Sequence, residues 1–106
     1  MNMTEKNTDE LKILRKIDNN PQFNQRDLAE KVGFSLGKLN YCLKSLRNKG
    51  HIKIENFKKN KNKINYFYIL TAKGITKKLN LTLVFMKKKM SEYEELKNEL
   101  EKKNGF

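Results

Sequence analysis

Apolar positions along the chain recur first at helical spacing, then at strand spacing, then at helical spacing again. Leu11, Ile13, Leu14 and Ile17 share one face of a helix running to about Asn19. Thr8 offers an N-cap, and Asp9 and Glu10 suit the positive end of the helix dipole. Residues 1–7 are polar, which predicts a disordered N-terminus, and Asn20-Pro21 stops the helix. Asn24 with Asp27 resembles a capping box and opens a short second helix whose inner face is Leu28, Ala29 and Val32. Gly33 provides a turn, Ser35 caps a third helix to about Lys49, and Gly50 closes it.

The period then changes to two. Ile52 and Ile54 alternate within His51 to Phe57, and Ile64, Tyr66, Tyr68 and Leu70 alternate in the following run. The six polar residues Lys58-Lys59-Asn60-Lys61-Asn62-Lys63 make the loop of a hairpin. From about Ala72 to Lys103 helical periodicity returns as one long segment capped by Thr71, weakened in its first turn by Gly74, with Asn80 as a possible break point. The fold class expected is mainly α with a small β-hairpin (α+β). Residues 8–71 form a winged helix-turn-helix and residues 72–106 a long C-terminal dimerisation helix.

On a helical wheel, Leu36, Leu39, Leu43 and Leu46 of the third helix face inward. The opposite face carries Gly37, Tyr41, Lys44 and Asn48, flanked by Lys38, Asn40 and Ser45. Asn and Tyr can hydrogen-bond base edges or phosphates, Lys neutralises phosphate, and Gly37 permits close approach. Ser35 and the free amides beside it could hold a phosphate at the helix N-terminus. Gln25 and Arg26 could add backbone contacts from the second helix. A polar face is also what any solvated amphipathic helix presents, so the helix by itself does not decide between the two readings.

Charge shifts the balance. The chain of 106 residues carries 24 Lys+Arg against 12 Asp+Glu, a formal net charge of +12. Lysine-rich composition can arise from AT-rich coding, but no acid occurs from Asn56 to Ser91, where ten lysines fall. Lys58, Lys59, Lys61 and Lys63 lie in the hairpin tip, where they would repel each other and add nothing to a core. A lysine-rich edge also guards against sheet aggregation, but a phosphate-tracking wing accounts for all four. Tyr66, Phe67 and Tyr68 fit packing of the returning strand better than stacking on bases.

In the last helix, Leu79, Met86, Tyr93 and Leu100 recur every seven residues, with Leu83 and Met90 between them and an interruption at Lys97. Leu81, Val84 and Phe85 widen the apolar face. A helix this long exceeds what so small a domain can cover, so the seam predicts a homodimer, with folding back onto the first helix as the alternative. Two copies would set recognition helices about 34 Å apart, one duplex turn, over a palindromic operator.

Ser35-Leu36-Gly37-Lys38-Leu39-Asn40-Tyr41-Cys42-Leu43-Lys44, with Leu46 and Lys49-Gly50, resembles the MarR-type winged-helix regulators associated with exopolysaccharide gene clusters. The resemblance continues through Asn56-Phe57-Lys58, Lys61-Asn62-Lys63, Leu70-Thr71, Lys73-Gly74-Ile75 and Glu92-Tyr93-Glu94, covering residues 8–103. It implies a bacterial, dimeric transcriptional regulator binding double-stranded DNA through the third helix and the wing. The broader MarR pattern has an Asp-x-Arg in the wing; here those positions are Asn62 and Ile64, leaving the contact to Lys61 and Lys63. The longer N-terminal dimerisation helix is missing, so no small-molecule effector is expected.

Other chemistries find few residues. Cys42 is the only cysteine and His51 the only histidine, too few for a metal site or a Cys/His catalytic pair. Cys42 reads as a partly buried, inert thiol whose pKa Lys38 and Lys44 could lower only weakly. No phosphate-cradling glycine motif occurs, and neither an enzyme nor a cofactor is expected. The run Leu81 to Met86 is too short to span a bilayer and the N-terminus lacks an apolar signal core, which predicts a cytoplasmic protein without a membrane partner. Two rival functions stay open: a protein-interaction winged helix and a non-specific nucleic-acid-binding protein.

Overall fold

The computed structural model describes residues 2–19, 24–60 and 63–104, with backbone only for 56–60, 63–67 and 104. The element order is α1 (Glu5–Asn19), α2 (Gln25–Val32), α3 (Leu36–Asn48), β1 (Ile52–Asn60), β2 (Lys63–Leu70) and α4 (Ala72–Asn104). It is the mainly helical fold with one antiparallel hairpin that the periodicities predict.

Capping chemistry sets the helix boundaries. The Asn24 side chain accepts the Asp27 N–H at 2.8 Å, and Ser35 Oγ accepts the Lys38 N–H at 3.1 Å. Gly33 ends α2 at φ +78°, with its own N–H and that of Phe34 returning to the Ala29 carbonyl. α1 starts earlier than the sequence suggests. Thr4 rather than Thr8 caps it, Oγ1 accepting the Asn7 N–H at 3.1 Å, so Glu5 to Asn7, expected as disordered, are helical. A Thr side chain can cap from either position, and Thr4 adds a further turn of hydrogen bonds. The Asn20-Pro21 stop lies outside the described residues.

The hairpin is longer than expected. β1 and β2 pair from Ile52↔Leu70 and Ile54↔Tyr68 out to Lys58↔Ile64 and Asn60↔Lys63, with an irregularity between Lys58 and Asn60. Lys58, Lys59 and Lys63 therefore lie on strands, not in a six-residue loop. Apolar alternation marks only the part of a strand that faces a core, whereas ladder hydrogen bonds between main chains need no apolar side chains.

The core gathers Leu11, Ile13, Leu14 and Ile17 from α1, Leu28, Ala29 and Val32 from α2, and Leu39, Leu43 and Leu46 from α3. Ile52, Tyr68 and Leu81 close it from the hairpin and α4. Leu36, assigned to the inner face, is instead exposed, because the first turn of α3 runs past the edge of the core. α4 is continuous over 33 residues, with no break at Asn80. Thr71 caps it, Oγ1 accepting the Gly74 N–H at 3.0 Å and donating to the Gly50 carbonyl at 2.6 Å. Gly74 does not merely weaken this turn: a side chain there would overlap the His51 main chain.

Candidate nucleic-acid interface

Two capped helices joined at Gly33 hold α3 rigidly with its polar face outward. Asn40, Tyr41 and Lys44 are exposed on that face, Tyr41 to 73%. Gly37 is exposed too, with open space where a Cβ would stand. Asn40 and Lys44 line a shallow cleft with Gln25, Arg47 and Asn48, beside the root of the hairpin at Tyr68. A second depression runs along the same face past Tyr41, Lys44, Asn48 and Lys49. Arg47 was absent from the sequence-derived set, although it follows Lys44 by three residues and Asn40 by seven, the helical spacing of one face.

Several residues of the sequence-derived set have structural duties. Gln25 Nε2 donates to the Tyr68 hydroxyl at 2.8 Å, tying α2 to β2. Tyr68 is buried, in keeping with its reading as a packing residue. Ser35 Oγ is occupied by the α3 cap. Lys38 turns away from the outer face: its Nζ lies 3.2 Å from Asp9 Oδ2 and 4.3 Å from the Phe34 ring centroid. One residue beyond Gly37 on a helix is a rotation of about 100°, which carries Lys38 toward α1. Arg26 is exposed at the start of α2. The side chains of Lys58, Lys59 and Lys63, and all of Lys61, lie outside the described residues, as do the side chains of Tyr66 and Phe67.

Electrostatics beneath α3 are equally specific. Glu10 is buried, with Oε1 3.0 Å from Lys49 Nζ. This hydrogen bond, opposed by burial, raises the Lys49 pKa. Asp9 and Glu10 of α1 thus pair with Lys38 and Lys49, near the two ends of α3. Burial pushes the Cys42 thiol up, with Asp9 adding to the effect and Lys38 opposing it. Lys38 thus lowers the thiol only weakly, as the sequence suggests, and desolvation with the acids of α1 outweighs it. Burial, then the charge of Lys77, lowers the His51 imidazole. Among the described residues no cluster of three His, Cys, Asp or Glu could hold a metal, and no helix is long and apolar enough to cross a membrane.

The seam of α4 lies in the open. Leu79, Leu83, Met86, Met90, Tyr93 and Leu100 are 53–65% exposed, and Ile75 and Leu96 are exposed beside them. The opposite side of the same helix does fold back: Leu81 is fully buried and Phe85 packs against the core, while Lys78 pairs with Asp18 of α1. Sequence treated Leu81 and Phe85 as a widening of one face; the structure makes them a second one.

Residues 10–53 match the family model of winged helix-turn-helix DNA-binding domains. No curated protein matches the sequence. Fold and match define the class of domain, a winged helix-turn-helix carrying a long C-terminal helix. Solved structures share this fold. A mutant of Staphylococcus aureus MepR superposes with a TM-score of 0.68 at 20% identity, covering 91% of this chain and 72% of that one. S. aureus MarR in complex with salicylate and kanamycin gives 0.64 at 21%, covering 81% and 56%. Streptococcus pneumoniae FabT in complex with DNA gives 0.60 at 20%, covering 81% and 58%. The chain thus spans between about half and three-quarters of the length of these proteins.

Proposed function

We propose that this protein is a sequence-specific, double-stranded-DNA-binding transcriptional regulator acting as a homodimer. α3 enters the major groove, and the lysine-rich hairpin beside it contacts phosphates or the minor groove. The observation that carries this reading is the outer face of α3, where Asn40, Tyr41, Lys44 and Arg47 stand exposed on a helix braced at both ends. FabT, of the same fold, is described in complex with DNA. Asn and Arg provide base-reading geometry, and lysines provide affinity without sequence choice.

The resemblance to exopolysaccharide-associated regulators makes surface-polysaccharide genes the first candidates for regulation. MarR of S. aureus is described with salicylate and kanamycin bound, so the expectation of no effector draws no support from its structural neighbours. Selection of bound sequences from a random duplex pool tests the proposal. A palindrome with half-sites about one duplex turn apart is expected; equal binding to unrelated sequences, or to none, would refute it.

A further inference from the structure

The outer stripe of α4 and the distribution of charge along it together identify a partner and its direction. At about 100° per residue, the positions of Leu79, Leu83, Met86 and Met90 centre about 170° around the helix from Leu81, whose side is covered by the domain. The seven-residue repeat continues through Tyr93 and Leu100, also exposed. It drifts about 20° per heptad on a straight helix, which favours a left-handed supercoil with another helix.

Charge is divided sharply along the same helix. Residues 72–90 hold Lys73, Lys77, Lys78, Lys87, Lys88 and Lys89 and no acid. Residues 91–104 hold five acids (Glu92, Glu94, Glu95, Glu99 and Glu101) against three lysines, a net charge of −2. A parallel copy would set the Lys87–Lys89 block against itself. A reversed copy sets it against Glu92, Glu94 and Glu95, two-fold symmetrically, with the apolar stripe between.

We infer that α4 pairs with α4 of a second copy of this chain in antiparallel orientation, the two-fold axis passing near Met90 and Ser91. This rests on the proposed homodimer and specifies its geometry. The covered domain faces then point outward on opposite sides of the pair. The two Leu81 anchors stand roughly 28 Å apart along it at 1.5 Å per residue.

The test uses the full chain with Cys42→Ser and Lys102→Cys, spin-labelled at residue 102 and measured by double electron–electron resonance. The antiparallel pair places the labels about 35 Å apart along the helices. A parallel pair brings them within about 20 Å, given helix axes about 10 Å apart. A short distance, or no dipolar signal from a monomeric sample, overturns the proposal. Glu92→Lys with Glu94→Lys and Glu95→Lys is expected to weaken dimerisation roughly tenfold, less so in high salt; unchanged dimerisation counts against it. Duplex binding by the same proteins is read separately by fluorescence anisotropy. Retained DNA binding without the antiparallel pair leaves the regulatory reading standing, and its loss with the pair intact does the reverse.

Discussion

Gly74 sits directly against the main chain of His51: a methyl group at that position would overlap the His51 carbonyl oxygen and come within 2.8 Å of its carbon. The same carbonyl accepts the Thr71 N–H at 3.1 Å, so the end of α3, the root of the hairpin and the start of α4 meet at one backbone junction. Gly74→Ala should therefore cost about 3 kcal/mol, because the clash is with backbone that cannot rotate away. Chemical denaturation measures it; a cost near zero would mean that the junction yields to a methyl group.

Gly37 is the contrasting case. Open space surrounds it, so Gly37→Ala should raise stability by about 0.5 kcal/mol through better helix propensity. If α3 approaches a duplex closely, the same variant should bind its operator less tightly. Stability and affinity moving in opposite directions would mark Gly37 as a contact position; parallel gains would remove it from the interface.

Arg47 and the wing lysines should separate by kind of effect. Arg47→Ala and Tyr41→Ala are expected to relax sequence preference, each by about 1–3 kcal/mol of discrimination at one position. Lys61→Glu with Lys63→Glu should weaken binding to every duplex and reduce the salt slope by about 2. Anisotropy titrations against specific and unrelated duplexes over a range of salt would show both patterns. An unchanged salt slope would sink the phosphate role of the hairpin.

The Glu10–Lys49 pair makes a prediction through its asymmetry, since the Glu10 side chain is 3% exposed and that of Lys49 39%. Lys49→Met leaves a buried carboxylate without its cation and should cost about 2 kcal/mol, less than a fully buried pair because water reaches Lys49. Adding Glu10→Met should recover much of the loss. A double-mutant cycle measures the coupling, and additive costs would show that the two charges do not stabilise each other.

His51 supplies a pH dependence. Burial holds its folded pKa below the ordinary value, so the unfolded chain takes up a proton first as pH falls. Its contribution is full above about pH 6.5 and is lost progressively below. Denaturation midpoints should therefore fall between about pH 7.5 and about pH 5.5, and the fall should be smaller in His51→Gln. An equal fall in the variant would assign the effect to other groups.

Much of the fold was legible in local chemistry. Asn24, Ser35, Gly33 and Gly50 each mark a boundary through a cap or a positive φ that depends on few neighbours. Boundaries set by nothing local were misread: the hairpin runs on past its apolar alternation to Asn60 and Lys63. The candidate site shows the same division. Asn40, Tyr41 and Lys44 follow from the helical wheel, whereas Lys38 was assigned outward because its partner, Asp9, is distant in sequence.

By itself the sequence determined the order of helices and strands, the inward leucines of α3 from Leu39 onward, and the lysine-rich charge of the hairpin and α4. Those properties reside in periodicity, caps and residue type, which act over a few positions. Tertiary structure alone decided that Lys38 and Lys49 brace α3 against α1, that Gly74 admits the His51 backbone, and that α4 has two apolar sides. Each is a contact between residues more than twenty positions apart or a question of which face is covered, and neither is encoded in any one stretch of chain.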